Sequence, residues 1–542
     1  MSNTGQYGCA ISWKGGISWT GLTAARVPGW AAVLILALIT VILAIRPAQA
    51  QFTTLTSFDG TNGFDPQAPL VQATNGKLYG STNENYGSGN FGSLFEITTG
   101  GTLKSLDTFC PSTASQCADG GDPVEGVVQA GNGKFYGTNA YGGDYSQVGY
   151  GGGTIYEVTP GGTVTILHSF CQELNGNGDC ADGSIPTAGL VVATNGDLYG
   201  TTSFGGEYGG GTIFKINTKG DLTTLYNFCP GPSCGNDQPS YADGFYPAAA
   251  LIQATDGDLY GTTTAGGVNR GVQINGGTIF KITPGGKFTV LYSFCSQTNC
   301  VDGLNPTAPL VQASNGNIYG TTLLLGANGY GTIFDFTTKG KFKFTTLYNF
   351  CSQTNCSDGS PGGSSATQPA LIQGTDGNLY GTTPFGGNTT NGVDSNGYGT
   401  IFKMTPSGAF TTIYTFCTVS NCPDGGIPAG GLTQDTDGDF YGTTAGAGTV
   451  GAGFGTVFSL SVGLSPFVKL QPASGKVGAI IDIPGTDLTG ATGVTFNGTP
   501  AAFTVISSSE ITATVPTGAT DGNVQVVTPG GTLTSNVSFS VP

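Results

Sequence analysis

Seven Asp-Gly pairs, at Asp59, Asp119, Asp182, Asp243, Asp302, Asp358 and Asp424, are the first residues of this sequence that could do chemistry. A ring of carboxylates at even spacing could hold Ca²⁺ or bind the hydroxyls of a sugar. The same dipeptide is a turn signal, with the carboxylate capping nearby backbone N–H groups. Recurrence in every copy favours the turn, because a catalytic site breaks a repeat's symmetry. Asp435-Thr436-Asp437-Gly438-Asp439 resembles a calcium loop but lacks the spacing and terminal Glu of an EF-hand. It fills a position held by Asn-Gly in other copies. The sequence therefore predicts a turn there, open to incidental Ca²⁺, with no dedicated metal site and no cofactor.

Cysteine and histidine narrow the chemistry further. Of thirteen cysteines, Cys9 stands alone near the start. The other twelve form six local pairs: Cys110/Cys117, Cys171/Cys180, Cys229/Cys234, Cys295/Cys300, Cys351/Cys356 and Cys417/Cys422. Zinc needs four ligands close together, whereas each loop offers two cysteines and the chain has one histidine, His168. Six local disulfides are the expectation, and they fit an oxidising compartment. His168 stands where other copies have Tyr226, Tyr292, Tyr348 and Tyr414, which points to packing. Nucleophilic triads then have little to work with. Carboxylates could still hydrolyse glycosides, although no asymmetric pair stands out in the sequence. The net charge of −16 disfavours nucleic acid as a partner.

These residues sit in a strict repeat. The Tyr-Gly of Leu-Tyr-Gly-Thr-Thr falls at Tyr79, Tyr136, Tyr199, Tyr260, Tyr319, Tyr380 and Tyr441, a period of about sixty residues. Four strand candidates recur around it. Strand a is apolar (70–73, 310–313), strand b carries the Tyr-Gly, strand c reads Gly-Thr-Ile-Phe-Lys-Ile (211–216, 277–282), and strand d is of the Thr-Leu-Tyr-Ser-Phe type (289–294). Asn-Gly or Asp-Gly joins a to b, and Thr-Pro-Gly-Gly or Lys-Gly joins c to d. The series starts with a lone d strand, 52–58, and ends with a lone a-b-c set, so the first strand would complete the last sheet of a closed ring. The fold class expected is all-β: a seven-bladed β-propeller of four-stranded blades followed by an immunoglobulin-like β-sandwich.

Repeats of this form, with L-Y-G-T-T, G-T-I-F-K-I-T-P-G-G and T-x-L-x-x-F, resemble the GloVer (Gloeo-Verruco) tandem repeats of exported bacterial proteins. The resemblance covers about residues 51 to 462 and implies export and surface location. It carries no catalytic residues. The first copy departs from it: Phe58-Asp59-Gly60 lacks the cysteine pair. From Ser465 the pattern changes to alternating segments, including Ile481-Asp482-Ile483-Pro484 and Ile511-Thr512-Ala513-Thr514-Val515. Six or seven strands are expected, resembling the IPT/TIG domain, with Pro484 marking an edge or a bulge.

Ahead of the repeats, the apolar run 31–45 follows Lys14 and Arg26 and precedes Ala48-Gln49-Ala50. That is a secretory signal pattern with cleavage before Gln51; an uncleaved anchor is the alternative. The expected domains are 1–50, 51–463 and 464–542, with no membrane span after cleavage. Trp13, Trp19 and Trp30 all lie in this leader, so a mature chain could not carry the tryptophan of a sialidase Asp-box.

The expectation for function is an exported, extracellular or cell-surface binding or adhesion protein without enzymatic activity. Its ligand would be a carbohydrate or a surface protein. A glycosidase-type enzyme using acidic residues on one propeller face is the alternative. In an antiparallel meander the a–b and c–d turns share one face, and the b–c and d–a connections share the other. The second set varies and carries unshared aromatics: Tyr86, Phe91, Tyr141, Tyr145, Tyr150, Phe204, Tyr208 and Phe385. Tyr141, Tyr145, Tyr150, Phe204 and Tyr208 are the candidate ligand contacts.

Overall fold

The Tyr-Gly phrase owes its glycine to the strand beside it. In the third repeat, strand b (Leu198–Thr202) pairs antiparallel with strand c (Thr212–Ile216) and sets Gly200 opposite Phe214. A Cβ on Gly200 would lie 2.6 Å from Phe214 Cζ. The same approach recurs between Gly80 and Phe95, Gly320 and Phe334, and Gly442 and Phe458. Only glycine leaves room for a ring folded across the strand. The tyrosine hydroxyl is fixed by the a–b turn: Asn75 donates to Tyr79 at 2.8 Å, and Tyr260 donates to Asp256 at 2.7 Å.

The computed structural model describes residues 50–83, 91–110, 117–144, 151–230, 242–268, 276–361, 370–387, 397–446 and 453–542. Met1–Gln49, with the leader, and the aromatics Tyr86, Tyr145 and Tyr150 lie outside them. Among the described residues no helix is long and apolar enough to cross a membrane. The fold is all-β and dominated by four-stranded antiparallel sheets.

Among the described residues seven such sheets come from the repeats, six of them from consecutive a-b-c-d strands. The seventh combines Thr433–Gln434, Phe440–Thr444 and Thr456–Ser461 with the first strand, Gln51–Ser57, in a register from Gln51↔Ser461 to Ser57↔Thr456. Strand a is shorter than expected. It spans two residues in each sheet, such as Val71–Gln72 and Val311–Gln312, because the flanking backbone turns at once into the Asn-Gly hairpin.

Adjacent sheets share cores, and the series returns to its start. Tyr79 and Leu94 of the first sheet pack with Phe135 and Tyr156 of the second. Equivalent clusters join each following pair. The last unites Tyr441 and Val457 of the seventh sheet with Phe95 and Ile97 of the first. Burying such large apolar side chains contributes roughly 1.5–3 kcal/mol each.

A second belt runs along the a strands. Gln129 Oε1 accepts from Thr74 N at 3.0 Å, and Gln253, Gln312, Gln373 and Gln434 repeat the link to the preceding sheet. Gln72 then bridges first and seventh sheets, donating to Asp435 and, at 2.8 Å, to Thr436 Oγ1. The third repeat has Val192 at this position.

Residues beyond 463 build seven short strands in sheets of three and four around a common core that includes Val468, Ile483, Phe496, Ile511, Val526 and Phe539. Pro484 ends Ile480–Pro484, which lies at the edge of the three-stranded sheet, where a missing N–H costs little. This module contacts a–b turns of the repeats. Phe467 N donates to the Thr436 carbonyl at 2.9 Å, Thr436 and Thr486 hydroxyls meet at 2.8 Å, and Ser509 Oγ donates to the Thr74 carbonyl at 2.9 Å.

Candidate functional site

The Asp-Gly carboxylates are caps. Asp243 Oδ2 accepts from Cys229 N and from the Tyr226 hydroxyl, at 3.1 and 2.8 Å. Asp302 and Asp358 accept from Ser296 N and Ser352 N and from Tyr292 and Tyr348. Asp424 does the same with Cys417 N and Tyr414. Asp119 and Asp182 bind Cys110 N and Cys171 N, while Asp59, in the copy without cysteines, caps Thr61 N. The first cysteine of a pair turns with positive φ, as at Cys229 with 67°, and at Cys110, Cys171, Cys229 and Cys417 the carboxylate holds that strained N–H. Disulfides Cys110–Cys117, Cys171–Cys180, Cys295–Cys300, Cys351–Cys356 and Cys417–Cys422 close these loops. Cys229 is also disulfide-bonded, and Cys234 lies outside the described residues.

His168 takes the tyrosine role in the second sheet, with Nε2 2.7 Å from Asp182 Oδ2. In the first sheet the equivalent position holds Asp107. Burial first, then the charge of Asp119, raises its carboxyl above the ordinary range. This is an asymmetric carboxylate pair that the sequence reading missed. Aligning the d strands on Tyr226 would have found it. Nearby Tyr156, a phenylalanine in other repeats, keeps a buried hydroxyl without a hydrogen bond.

The Asp435–Asp439 segment is an a–b turn, closed by Asp435 N to the Asp439 carbonyl. Tyr441 donates to Asp437 at 2.7 Å. Burial, and secondarily Asp437, pushes the Asp435 carboxyl up to about 6. Burial pulls the Lys469 ammonium down to about 8 against the attraction of Asp435 and Asp437. Among the described residues no group of three or more His, Cys, Asp or Glu side chains could hold a metal. Glu125 is a further singular carboxylate, placed where other repeats have Ala68, Ala188, Ala249 and Ala308. Burial pushes it up to about 7.

The b–c ends are where aromatic side chains reach solvent. Phe91, Tyr141, Phe204 and Tyr330 are 46%, 42%, 40% and 45% exposed, against nearly complete burial of the rings inside the sheets. Bridges such as Gly121↔Tyr141 and Ser184↔Phe204 tie these ends to the Asp-Gly turns. Phe204 packs on Tyr246 of the next repeat, centroids 4.6 Å apart. Tyr208 is half-buried, and its phenol is raised by a hydrogen bond to Glu207. Phe385 is half-buried. Among the described residues no ring contact joins Tyr141, Phe204 and Tyr208 to one another, so they form a distributed face.

The sequence matches the Gloeobacter/Verrucomicrobia repeat over residues 40–267, 149–362, 236–394 and 275–506. The chain belongs to this repeat family. Among curated proteins, none matches it. Solved structures similar to this repeat protein include a fungal alcohol oxidase of the AA5 family in complex with copper, at 13% identity and TM-score 0.44, covering 91% of this chain and 98% of that one. Another is a protein of Bacteroides uniformis ATCC 8492 assigned as a 6-phosphogluconolactonase, at 15% identity and TM-score 0.40, covering 68% and 89%. At such TM-scores the likeness assigns no activity to the family member described above.

Proposed function

We propose that this repeat protein is an exported, non-enzymatic binding or adhesion protein of the cell surface or extracellular space. Its body is read as a seven-bladed β-propeller and its C-terminal module as an immunoglobulin-like domain of the IPT/TIG kind. The cycle of shared cores and the Gln51–Ser57 seam support the propeller. The local disulfides and the leader pattern support export. The ligand is a carbohydrate or a surface protein, held on the b–c/d–a face. One observation carries this reading: Phe91, Tyr141, Phe204 and Tyr330 are exposed at the b–c ends, while the C-terminal module occupies a–b turns on the other face. Exposed rings with polar neighbours suit stacking on sugars or packing against a protein. A glycan-array screen of residues 51–542, run with a reducing-end assay, tests it. Binding without sugar release supports the proposal, and release of reducing ends overturns it.

The second reading, a glycosidase-type enzyme, draws support from Asp107 beside Asp119, where burial and the charge of Asp119 raise the Asp107 carboxyl as an acid role would need. It requires Asp107→Asn to abolish sugar release.

A further inference from the structure

A cleft of about 1040 Å³ separates the C-terminal module from the a–b turns of the fourth to sixth repeats. On the repeat wall, the exposed side chains of Ser314, Asn315 and Lys339 face it. On the module wall, Thr532, Asn536 and Ser538 do so. Phe467 and Pro466 of the connecting segment also contribute to its lining.

Two features set this cleft apart from an ordinary domain gap. The first is a break in the repeat. The c–d turns at 98–102, 283–287 and 405–409 are five residues long, whereas the fifth repeat spends seven, Thr337–Lys343, and puts Lys339, Lys341 and Lys343 on them. Phe342 anchors this longer turn against Phe336, centroids 5.7 Å apart, so the three exposed lysines are held outward. The second is the charge balance of the lining. Its one carboxylate, Asp376, is already engaged by Lys403 at 2.8 Å and by Tyr380 at 2.9 Å. Lys339 remains as the cation of the cleft, surrounded by neutral hydroxyls and amides.

We propose that this cleft binds an acidic oligosaccharide of uronate type, with a sugar carboxylate on Lys339 and ring hydroxyls on Ser314, Asn536 and Ser538. Lys339 in a hydroxyl- and amide-lined cleft matches a ligand that is polyhydroxylated and negative at once, a local attraction set against the net charge of −16 of the whole chain. The site is independent of the b–c/d–a face.

The test is calorimetric titration of residues 51–542 with tetragalacturonate and, in parallel, with a neutral glucose tetramer. Tetragalacturonate is expected to bind, more weakly as salt rises, and the neutral tetramer to bind at least tenfold less well. Lys339→Glu should weaken binding about tenfold, the loss of one charge-assisted contact. Asn536→Trp, which fills the cleft from the opposite wall, should abolish it. Melting curves of both variants establish that they fold. Tyr141→Ala with Phe204→Ala should leave uronate binding unchanged. Equal binding of the two tetramers, no binding of either, or retention of affinity in folded Lys339→Glu and Asn536→Trp proteins overturns the proposal.

Discussion

Phe52 and Tyr414 lie face to face, ring centroids 4.1 Å apart and planes within 9°, although one opens the repeat body and the other belongs to its sixth sheet. The same stack joins Tyr226 to Phe288, Tyr292 to Phe344 and Tyr348 to Phe410. The first strand thus supplies what an internal d strand supplies elsewhere. Phe52→Ala should destabilise the body by about 2–4 kcal/mol, and Phe288→Ala, at an internal stack, by a similar amount. Denaturant melting of the two variants checks it. An unchanged midpoint for Phe52→Ala would show that this strand contributes nothing to the seventh sheet's packing on the sixth.

Gly200→Ala puts a methyl into the Phe214 ring, and overpacking of this kind costs roughly 1–3 kcal/mol. Shortening the ring with Phe214→Leu should recover part of that loss. A double-mutant cycle by chemical denaturation measures it, and strictly additive effects would contradict the contact.

Non-reducing peptide mapping should return six local links, Cys229–Cys234 included. Asp302→Ala should lower stability by about 1–3 kcal/mol even with its disulfide intact, because Ser296 N and Tyr292 lose their acceptor. Links between different repeats would refute the pairing.

Replacing Phe91, Tyr141, Phe204 and Tyr330 together by alanine should abolish ligand binding in a protein that still melts cooperatively, since these rings lie at the surface and outside the shared cores. Substitutions in the Pro-Gly-Gly turns at 284–286 serve as the control. Loss of binding in the control alone would move the site to the other face.

Glu125 gives the pH dependence a definite sign. Its folded-state value, raised to about 7 by burial, means that the fold holds the proton more tightly than the unfolded chain. The associated stability is fully present below about pH 4.5 and is lost as pH rises through 7. Glu125→Gln should match the parent near pH 4 and exceed it by about 1–3 kcal/mol at pH 8. Thermal melts from pH 4 to 8 decide it, and parallel curves would reject the assignment.

The strands, the turns and the local cysteine pairs were legible because each repeats at a fixed period and each obeys a local rule, as Asn195-Gly196 does in its hairpin. His168 was legible as a packing residue for the same reason. The glutamine belt was visible as letters but not as links, since Gln129 finds its partner Thr74 in another sheet. Asp107 escaped because it breaks the pattern at a position where only the spatial partner, Asp119, gives the break meaning. The docking of Ser509 on Thr74 had no sequence signal, because it joins a repeat to a module outside the period.

That docking has a consequence for how the body comes apart. Thr436 and Thr74 belong to the seventh and first sheets, the two that meet at the seam, and the C-terminal module grips both. Parting these two sheets therefore means prying the module off one side or the other. The join between the seventh and first sheets is clasped from outside. Fraying should then start elsewhere, at a sheet such as the third, where Val192 interrupts the belt, and kinetic persistence of the whole repeat body becomes a property of its clasp.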